Sequence, residues 1–244
     1  MSNQNQQKMK RILFTLPIMF VLAITLPGAS AQNCNFYLPL VENSGLEYEN
    51  YNRRDRLEGS QEVVISTVRN DGDRVIATIN AKHYDRRNRI QHEGEYNVIC
   101  QGDHLSIDIK SLLDQSVLEG FEGMDMEIEG DELVLPSGLS QGQELPDAAM
   151  KITVRSSGMQ IAEMNLTIEN RRVLGRETIE VPAGTFEAYK ISYETRMETR
   201  AIGIPIRTNT KTIEYHVEDL GMIKSEYFND NDRSQGYTVL SRII

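Results

Sequence analysis

Hydrophobic and polar residues alternate along most of the chain with a period of two, which is typical of half-buried β-strands. Val63–Val68 and Val75–Ile79 have this pattern on either side of Asn70–Asp73, so they predict a β-hairpin with an explicit turn. Further strands are predicted at Met124–Ile128, Ile152–Val154, Ile161–Ile168, Phe186–Met197, Arg207–Val217, Met222–Phe228 and Tyr237–Ile243. Together these segments indicate about a dozen strands.

One segment has helical spacing instead of alternation. Its apolar residues are Ile109, Leu112, Leu113, Val117 and Phe121. Asp108 is a candidate N-cap, and Gly120 or Gly123 is a candidate end, so we predict one short helix packed against the sheet. Because no βαβ rhythm is present, we predict an all-β fold based on a curved antiparallel sheet, a half-barrel or an incomplete barrel. A closed barrel and a sandwich remain alternatives.

A turn pattern recurs three times. Tyr51–Leu57 is repeated as Tyr84–Ile90 and, more loosely, as Tyr227–Arg233. Each copy is the aromatic end of a strand, then a polar turn, then the start of another strand. Asn and Asp accept the left-handed conformations that tight turns use. The pattern predicts a repeated hairpin in a meander.

The N-terminal segment is typical of a secretory signal peptide. A basic stretch precedes the apolar run Ile12–Leu26, which is shorter than the roughly 20 residues that span a bilayer, and Ala29–Ala31 offers a small-residue cleavage site. We predict cleavage after Ala31 and a periplasmic or secreted protein with no transmembrane segment after cleavage. We expect residues 32–244 to form a single antiparallel β domain, with Pro136–Pro146 as a loop that crosses between strands. The alternative is that this stretch is a linker between two domains.

The chain carries a formal net charge of −10 at pH 7, and removal of the basic signal peptide makes it more acidic. A strongly acidic protein repels nucleic acid and anionic membrane surfaces, so we predict no nucleic-acid partner. There is no tryptophan, and only 7% of the residues are aromatic, so the sequence does not indicate a stacking platform for bases or glycans.

Two cysteines, Cys34 and Cys100, follow the predicted cleavage site. Export places them where disulfides form, and we predict that they are bonded to each other. The alternatives are a lipid anchor on Cys34, a reactive thiol or two free thiols. Lipidation requires small residues directly before the cysteine, whereas Gln32 and Asn33 stand there.

Gly138–Gly142 matches the nucleophile pattern G-x-S-x-G, with Ser140 at its centre. The pattern works where a strand turns sharply into a helix, but Pro146 opposes a helix after it. His216 is the only downstream histidine that could serve as a base. We therefore predict that the protein is not an enzyme and keep a serine hydrolase as a remote alternative.

No metal site or cofactor is predicted. The four histidines, His83, His92, His104 and His216, are scattered along the chain without metal-ligand spacing. The acidic residues between Glu119 and Glu132 lack the spacing that surrounds a calcium ion, so a solvated strand face is the favoured interpretation.

Two turns concentrate positive charge on this acidic chain. The arginines are Arg53, Arg54 and Arg56 in the first turn and Arg86, Arg87 and Arg89 in the second. If the turns lie side by side, they form a candidate site for an anionic headgroup, a sugar acid or a phosphate. The alternative is a pair of exposed turns whose arginines pair with local carboxylates.

Several segments carry a family resemblance. They are Val181–Ile191, which contains P-A-G-T-F, Cys34–Leu40 with Gly45 and Tyr48, Cys100–Asp103 with Ile107 and Asp108, and Gly142–Ala148. Together they resemble the TapB-like family of exported bacterial proteins, which is related to domain of unknown function 3108. The family pattern Y-D-K-K-G-K differs from the arginine-containing turns here. The resemblance implies an antiparallel β fold and the envelope of a Gram-negative host, and it supplies no catalytic residues.

Three functional hypotheses follow. The first is a binding or carrier module that holds an apolar or amphipathic small molecule in the concave sheet. The second is a structural or interaction component of the cell envelope with a protein partner. The third is the hydrolase. A carrier requires an apolar cavity, whereas an interaction protein requires an exposed apolar patch or a strand edge.

Overall fold

The computed structural model describes residues 38–108, 123–201 and 204–244. All regular secondary structure in these residues is β-strand. The strands are β1 (Gly45–Asn52), β2 (Leu57–Asp71), β3 (Arg74–Asp85), β4 (Ile90–Gln101), β5 (His104–Asp108), β6 (Asp125–Gly130), β7 (Glu132–Pro136), β8 (Ala148–Ser156), β9 (Met159–Val181), β10 (Gly184–Ala201), β11 (Ile204–Val217), β12 (Gly221–Phe228) and β13 (Ser234–Ile243). The predicted all-β fold is confirmed, and the predicted helix over Ile109–Phe121 lies outside the described residues.

All 13 strands belong to one sheet, in the order β6-β8-β9-β10-β11-β12-β13-β1-β2-β3-β4-β5-β7. Every neighbouring pair is antiparallel. Strands that are consecutive in the sequence pair through most of the order, as in a meander. The first strand also pairs with the last, which joins the two halves of the chain in the middle of the sheet.

The two ends of the sheet are β6 and β7, and only Asp131 separates these strands in the chain. The sheet must therefore curl until its ends approach each other, which produces a nearly closed, barrel-like sheet. Asp131 also fixes this junction, because its backbone N donates to the oxygen of Ala149 at 2.9 Å and its Oδ2 accepts from the N of Ala149 at 2.9 Å.

Buried apolar residues form three clusters. The first core cluster contains Ile65, Ala77, Ile79, Val98, Cys100, Leu105, Leu139, Leu145, Val173, Tyr189 and Ile191. The second contains Leu46, Tyr48, Val181, Ala188, Tyr215, Leu220, Ile223, Val239 and Leu240. The third contains Ala148, Met150, Ile152, Val154, Ala162 and Ile168. The first two clusters draw on several strands each and the third on β8 and β9, so burial of these side chains stabilises the packing of the curled sheet.

The P-A-G-T-F segment is a hairpin turn. β9 ends at Val181 and β10 begins at Gly184, whose φ of 144° lies in a region that L side chains rarely adopt. The turn contacts β13, since the backbone N of Ala183 donates to the oxygen of Leu240 at 3.3 Å. The segment is therefore structural, and it attaches the end of the long β9–β10 hairpin to the second core cluster.

The three repeated turns share the same hydrogen-bonding pattern. A side-chain oxygen of the first residue accepts from the backbone N two and four positions on, at 2.9 and 3.3 Å for Asn52, 2.8 and 3.0 Å for Asp85, and 3.0 and 3.1 Å for Asn229. The fourth residue of each turn has a positive φ, and these residues are Asp55, Asn88 and Asp232. The predicted repeated hairpin is confirmed.

The three turns lie at the same end of the sheet. Asn52 pairs with Gly236, just after the β12–β13 turn, and Gly59, just after the β1–β2 turn, pairs with Asp85. Both glycines are required by close approach of the backbone, because a Cβ on Gly59 would lie 2.2 Å from the oxygen of Tyr84, and one on Gly236 would lie 2.3 Å from that of Tyr51. We call this row of turns the turn rim.

Candidate functional site

A cavity of about 350 Å³ lies among the strands of the curled sheet. Most of its wall is apolar and is contributed by strands from both halves of the chain, including Leu46, Val63, Val98, Leu105, Leu133 and Ile191. This volume is at the lower end of the roughly 300–1,000 Å³ that is typical of small-molecule sites. The cavity can therefore enclose one small apolar group.

Four polar side chains from β9, β10 and β11 also line this cavity: Arg171, Tyr193, Glu214 and His216. We call them the polar cluster. In the β10–β11 ladder, Ile191 pairs with Glu214 and Tyr193 with Thr212. Because paired residues share a face of an antiparallel sheet, this register places Tyr193 and Glu214 on the same side of the sheet.

Glu214 accepts a hydrogen bond at each carboxylate oxygen. Tyr193 Oη donates to Oε1 at 2.7 Å, and His216 Nε2 is 2.8 Å from Oε2 and donates to it, since a carboxylate only accepts. Burial acts to raise the pKa of the Glu214 carboxyl, but the hydrogen bonds and the charges of His216 and Arg171 outweigh it, so this pKa lies below its usual value. Glu214 is therefore held as an anion.

The tyrosines around the cavity stay protonated. Burial, followed by the charge of Glu214, raises the pKa of Tyr193 well above its usual value. Burial also raises the pKa of Tyr96 to about 12. Tyr193 is therefore a fixed hydrogen-bond donor, and no base forms at these phenols near neutral pH.

Arg171 is the most buried charged residue of the polar cluster, with only 6% of its surface exposed. Its Nη1 donates to the backbone oxygen of Val134 at 2.9 Å and to that of Pro146. Burial lowers the pKa of Arg171, and the charge of Glu214 opposes that effect. Among residues 38–108, 123–201 and 204–244, no carboxylate forms an ion pair with Arg171 within 4.0 Å. This guanidinium thus faces neutral backbone acceptors.

A β-bulge places Arg171 in the interior. Glu169 pairs with Glu194 and Arg172 pairs with Ser192, so two residues of β9 lie opposite the single residue Tyr193 of β10. Asn170 has a φ of 57° at this position. A bulge of this kind shifts the alternation of the strand by one residue. Arg171 is consequently buried, whereas Arg172 is exposed.

One more polar atom belongs to this region. Across the part of the chain that the structure describes, Ser225 Oγ is the buried side-chain N or O atom without a hydrogen-bond partner. Ser225 pairs with Glu214 across β11 and β12, so it lies on the same face of the sheet. A buried hydroxyl without a hydrogen-bond partner is destabilising.

A second hollow, of about 690 Å³, lies against β9, β10 and β11. We call it the polar groove, because Met197 is the one apolar residue that lines it among those the structure describes. Its charged groups pair with one another and with their neighbours: Arg196 with Glu169 at 2.8 Å, Glu198 with Arg207 at 2.6 Å, and Lys211 with Asp232 at 2.9 Å. The groove is therefore lined mainly by ion-paired and other polar side chains, whereas the cavity wall is mostly apolar.

The arginines predicted as an anion site lie on the turn rim. Arg53, Arg54 and Arg56 belong to the β1–β2 turn, Arg86, Arg87 and Arg89 belong to the β3–β4 turn, and all six are exposed. These hairpins are neighbours because β2 pairs with β3. Arg89 already pairs with Asp85 at 2.6 Å, which lowers the charge available on the second turn. Anion binding at the turn rim stays a prediction.

Ser140 lies in the loop between β7 and β8, and its side chain is exposed. Its backbone N donates to Gln143 Oε1 at 2.9 Å, and its Oγ is 3.4 Å from the same atom. Residues 138–147 form turns and an isolated bridge instead of a helix. The strand–turn–helix geometry that activates serine in G-x-S-x-G is thus not present in these residues.

Cys100 is fully buried in the first core cluster. Cys34 lies outside the described residues, so the Cys34–Cys100 disulfide stays a prediction, as do the signal peptide and the bounds of the domain. The structure also brings two histidines together, since His83 pairs with His92 and their rings are 5.7 Å apart. Among the residues described, no group of three or more His, Cys, Asp or Glu side chains could hold a metal ion.

The sequence did not single out Arg171, Tyr193 or Glu214, and it named His216 only as a base for Ser140. One signal was available. β11 alternates Thr212, Glu214 and His216 with apolar residues, which shows that the three polar side chains share a face. The pattern does not show that this face lines a cavity.

The fold and the cavity define an all-β protein with an apolar interior site and a buried polar cluster. A family model described as DUF3108-like matches residues 42–240, which is most of the chain. The protein therefore belongs to the DUF3108-like family. No curated protein matches the chain.

Two solved structures are similar to this chain. One, from Bacteroides fragilis NCTC 9343, is provisionally described as an exported protein with a YmcC-like fold; it has a TM-score of 0.66 and 18% identity, over 86% of this chain and 100% of that one. The other, from Parabacteroides distasonis ATCC 8503, is provisionally described as a lipoprotein; it has a TM-score of 0.69 and 19% identity, over 87% of this chain and 100% of that one. At this identity, the likeness concerns the fold. In the described part of this chain, no helix has the length and apolar character needed to cross a membrane.

Proposed function

We propose that the protein is a non-enzymatic binding or carrier module of the cell envelope, which holds one small apolar or amphipathic molecule in its cavity. The observation that carries this proposal is the apolar cavity of about 350 Å³ inside the curled sheet. Its wall offers apolar burial, and the polar cluster offers a few fixed hydrogen-bonding groups at one side. This combination is typical of small-molecule sites.

The envelope location is part of the proposal. It is supported by the signal-peptide pattern at the N-terminus and by the descriptions of the two similar structures as exported protein and lipoprotein. Within the DUF3108-like family, we assign the chain to the TapB-like proteins on its P-A-G-T-F segment. A carrier rather than an enzyme is supported by Ser140, whose loop lacks the geometry of a nucleophile.

Native mass spectrometry, with solvent extraction, on protein purified from the periplasm tests this proposal. We expect a stoichiometric apolar or amphipathic molecule to co-purify. Val63→Phe fills part of the cavity and should abolish co-purification. Val64→Phe is the matched control, because it makes the same substitution at the next residue, which points to the opposite face of β2.

A clean apo mass for the wild-type protein would contradict the carrier function. Equal ligand occupancy in Val63→Phe and Val64→Phe would show that the ligand binds elsewhere. Both variants should be compared by thermal unfolding, so that loss of the ligand is not confused with loss of the fold.

A second candidate function is an interaction with an envelope protein. It is favoured by exposed apolar side chains on neighbouring hairpins: Met159 is 70% exposed, Ile204 67% and Ile206 63%. Exposed apolar residues that cluster are typical of docking surfaces. If this function is correct, replacing all three residues with serine should abolish the complex with the envelope partner, as measured by sedimentation. The unfolding temperature should stay unchanged.

A further inference from the structure

We propose that Arg171 binds the carboxylate of the cavity ligand, which is therefore a small monocarboxylate amphiphile of the fatty-acid type. This inference rests on the proposed carrier function and specifies its ligand class. The apolar tail lies among the aliphatic side chains of the wall, and the head group lies at the polar cluster.

The first support is the position of the guanidinium. Arg171 lines the cavity and is 94% buried, because only 6% of its surface is exposed. Its Nη1 is occupied by the backbone oxygens of Val134 and Pro146. The planar guanidinium has five N–H donors, so this leaves donors and a full positive charge for another group. A carboxylate matches such a fork with two parallel hydrogen bonds.

The second support is the asymmetry within the polar cluster. Glu214 has a partner at each oxygen, with Tyr193 at 2.7 Å and His216 at 2.8 Å. Arg171 has neutral backbone partners and, within the described ranges, no ion pair. A buried charge is costly unless it is paired, so the cation is the member of the cluster that an incoming ion would stabilise.

The third support is the form of the cavity. Outside the polar cluster its wall is mostly apolar and offers few groups that could solvate a second charge or a large polar head on the ligand. The volume of about 350 Å³ also limits the tail to one short chain. A single carboxylate on an apolar tail satisfies both conditions.

The test compares two probes that share a tail. Decanoate and decanol are titrated by calorimetry into the mature protein, refolded after denaturing removal of any co-purified ligand. We expect decanoate to bind at least about tenfold more tightly than decanol, since hydrogen bonds to a buried charge contribute that much.

Two variants identify the head-group site. Arg171→Met should reduce the affinity for decanoate to that for decanol. Glu214→Gln should leave the decanol affinity unchanged and tighten decanoate binding, because it removes the negative charge next to the head group. If Arg171→Met does not fold, Arg171→Lys replaces it and should weaken decanoate selectively, since lysine keeps the charge and loses the fork.

The outcomes separate the two proposals. Equal affinities for decanoate and decanol in the wild-type protein would overturn the role of Arg171 and leave the carrier function standing. Absence of binding for both probes would overturn the carrier function itself. Weaker decanoate binding in Glu214→Gln would also contradict the inference, because loss of a negative charge next to the head group should favour an anionic ligand.

Discussion

Arg171 and the arginines of the turn rim place the same chemical group in opposite surroundings. Arg171 is 6% exposed and lies between backbone oxygens and an apolar cavity. The six rim arginines are exposed on two hairpin turns, and Arg89 is already paired with Asp85. Water screens the rim charges, whereas the interior does not screen Arg171. One buried guanidinium should therefore bind an anion more selectively than six exposed ones.

The polar groove is instructive in the same way. It is larger than the cavity, at about 690 against 350 Å³, but its charges are satisfied by one another in contact with solvent. Volume alone therefore does not mark the site. The cavity has apolar surface that a ligand would bury and a charge that a ligand would pair, and both contributions favour binding.

The largest expected effect is that of Arg171→Ala on stability. The change removes the donor to the backbone oxygens of Val134 and Pro146 and the positive charge near Glu214, so we expect the free energy of unfolding to fall by about 3 kcal/mol. Urea unfolding measures it. Arg172→Ala is the control, because its side chain is 55% exposed and should cost less than about 1 kcal/mol. Equal losses in the two variants would show that Arg171 is not buried as described.

The next effect concerns the backbone of the turn rim. A Cβ at Gly59 would lie 2.2 Å from the backbone oxygen of Tyr84, so Gly59→Ala should lower the free energy of unfolding by about 2 kcal/mol. Gly72→Ala is the comparison: no atom lies within 4 Å of its Cβ, and its φ of 63° alone should cost about 1 kcal/mol. If Gly59→Ala were the milder of the two in urea unfolding, the three turns would not pack as closely as we describe.

A smaller effect, visible only in acid, is expected from Asp85. Hydrogen bonds from the backbone and side chain of Arg89 lower the pKa of Asp85 from 3.8 to about 2. A lowered pKa in the folded state contributes stability that is present above the unfolded pKa and is lost as the pH falls through the folded one. The stability advantage of wild type over Asp85→Asn should thus shrink between about pH 4 and 2.

Asparagine is a suitable replacement because Asn52 and Asn229 hold the equivalent turns. Urea midpoints measured over this pH range test the prediction, with Asp103→Asn in the exposed β4–β5 turn as the control. A difference between wild type and Asp85→Asn that stays constant with pH would refute the assigned shift.

The smallest effect is expected where the sequence concentrates its arginines. Replacing Arg53, Arg54 and Arg56 with serine should change the free energy of unfolding by less than about 0.5 kcal/mol, as is usual for surface sites. The affinity for decanoate should change by less than about twofold, since exposed charges are screened. Calorimetry at low and high salt measures this. A larger, salt-sensitive loss would show that the turn rim helps to bind the ligand's head group.

Much of the fold could be predicted because its signals are local. Period-two alternation predicted the strands, and Asx residues predicted the turns at Asn52, Asp85 and Asn229. The turn between Val181 and Gly184 is local in the same sense, because the φ of 144° at Gly184 is a conformation that favours glycine. Such features depend on neighbours within a few residues, so the sequence carries them directly.

The site could not be predicted in this way, for two reasons. Counted from Ile168, strict alternation would turn Arg172 inward, but the bulge at Asn170 shifts the phase and buries Arg171 instead. Alternation in β11 also places Glu214 and His216 on one face of the strand and Tyr215 on the other, but it does not show which face is covered. In the structure both faces are covered, since Tyr215 is 4% exposed in the second core cluster and Glu214 lines the cavity.

The sequence by itself therefore determined the all-β class, the hairpins and the repeated turns of this protein, because each arises from short-range backbone and side-chain preferences. Only the tertiary structure decided that the sheet curls until β6 and β7 meet at Asp131. It also decided which arginine side chain is buried away from solvent. Burial is a property of residues distant in the chain that come together around one cavity, and the charge of Arg171 acquires its significance there.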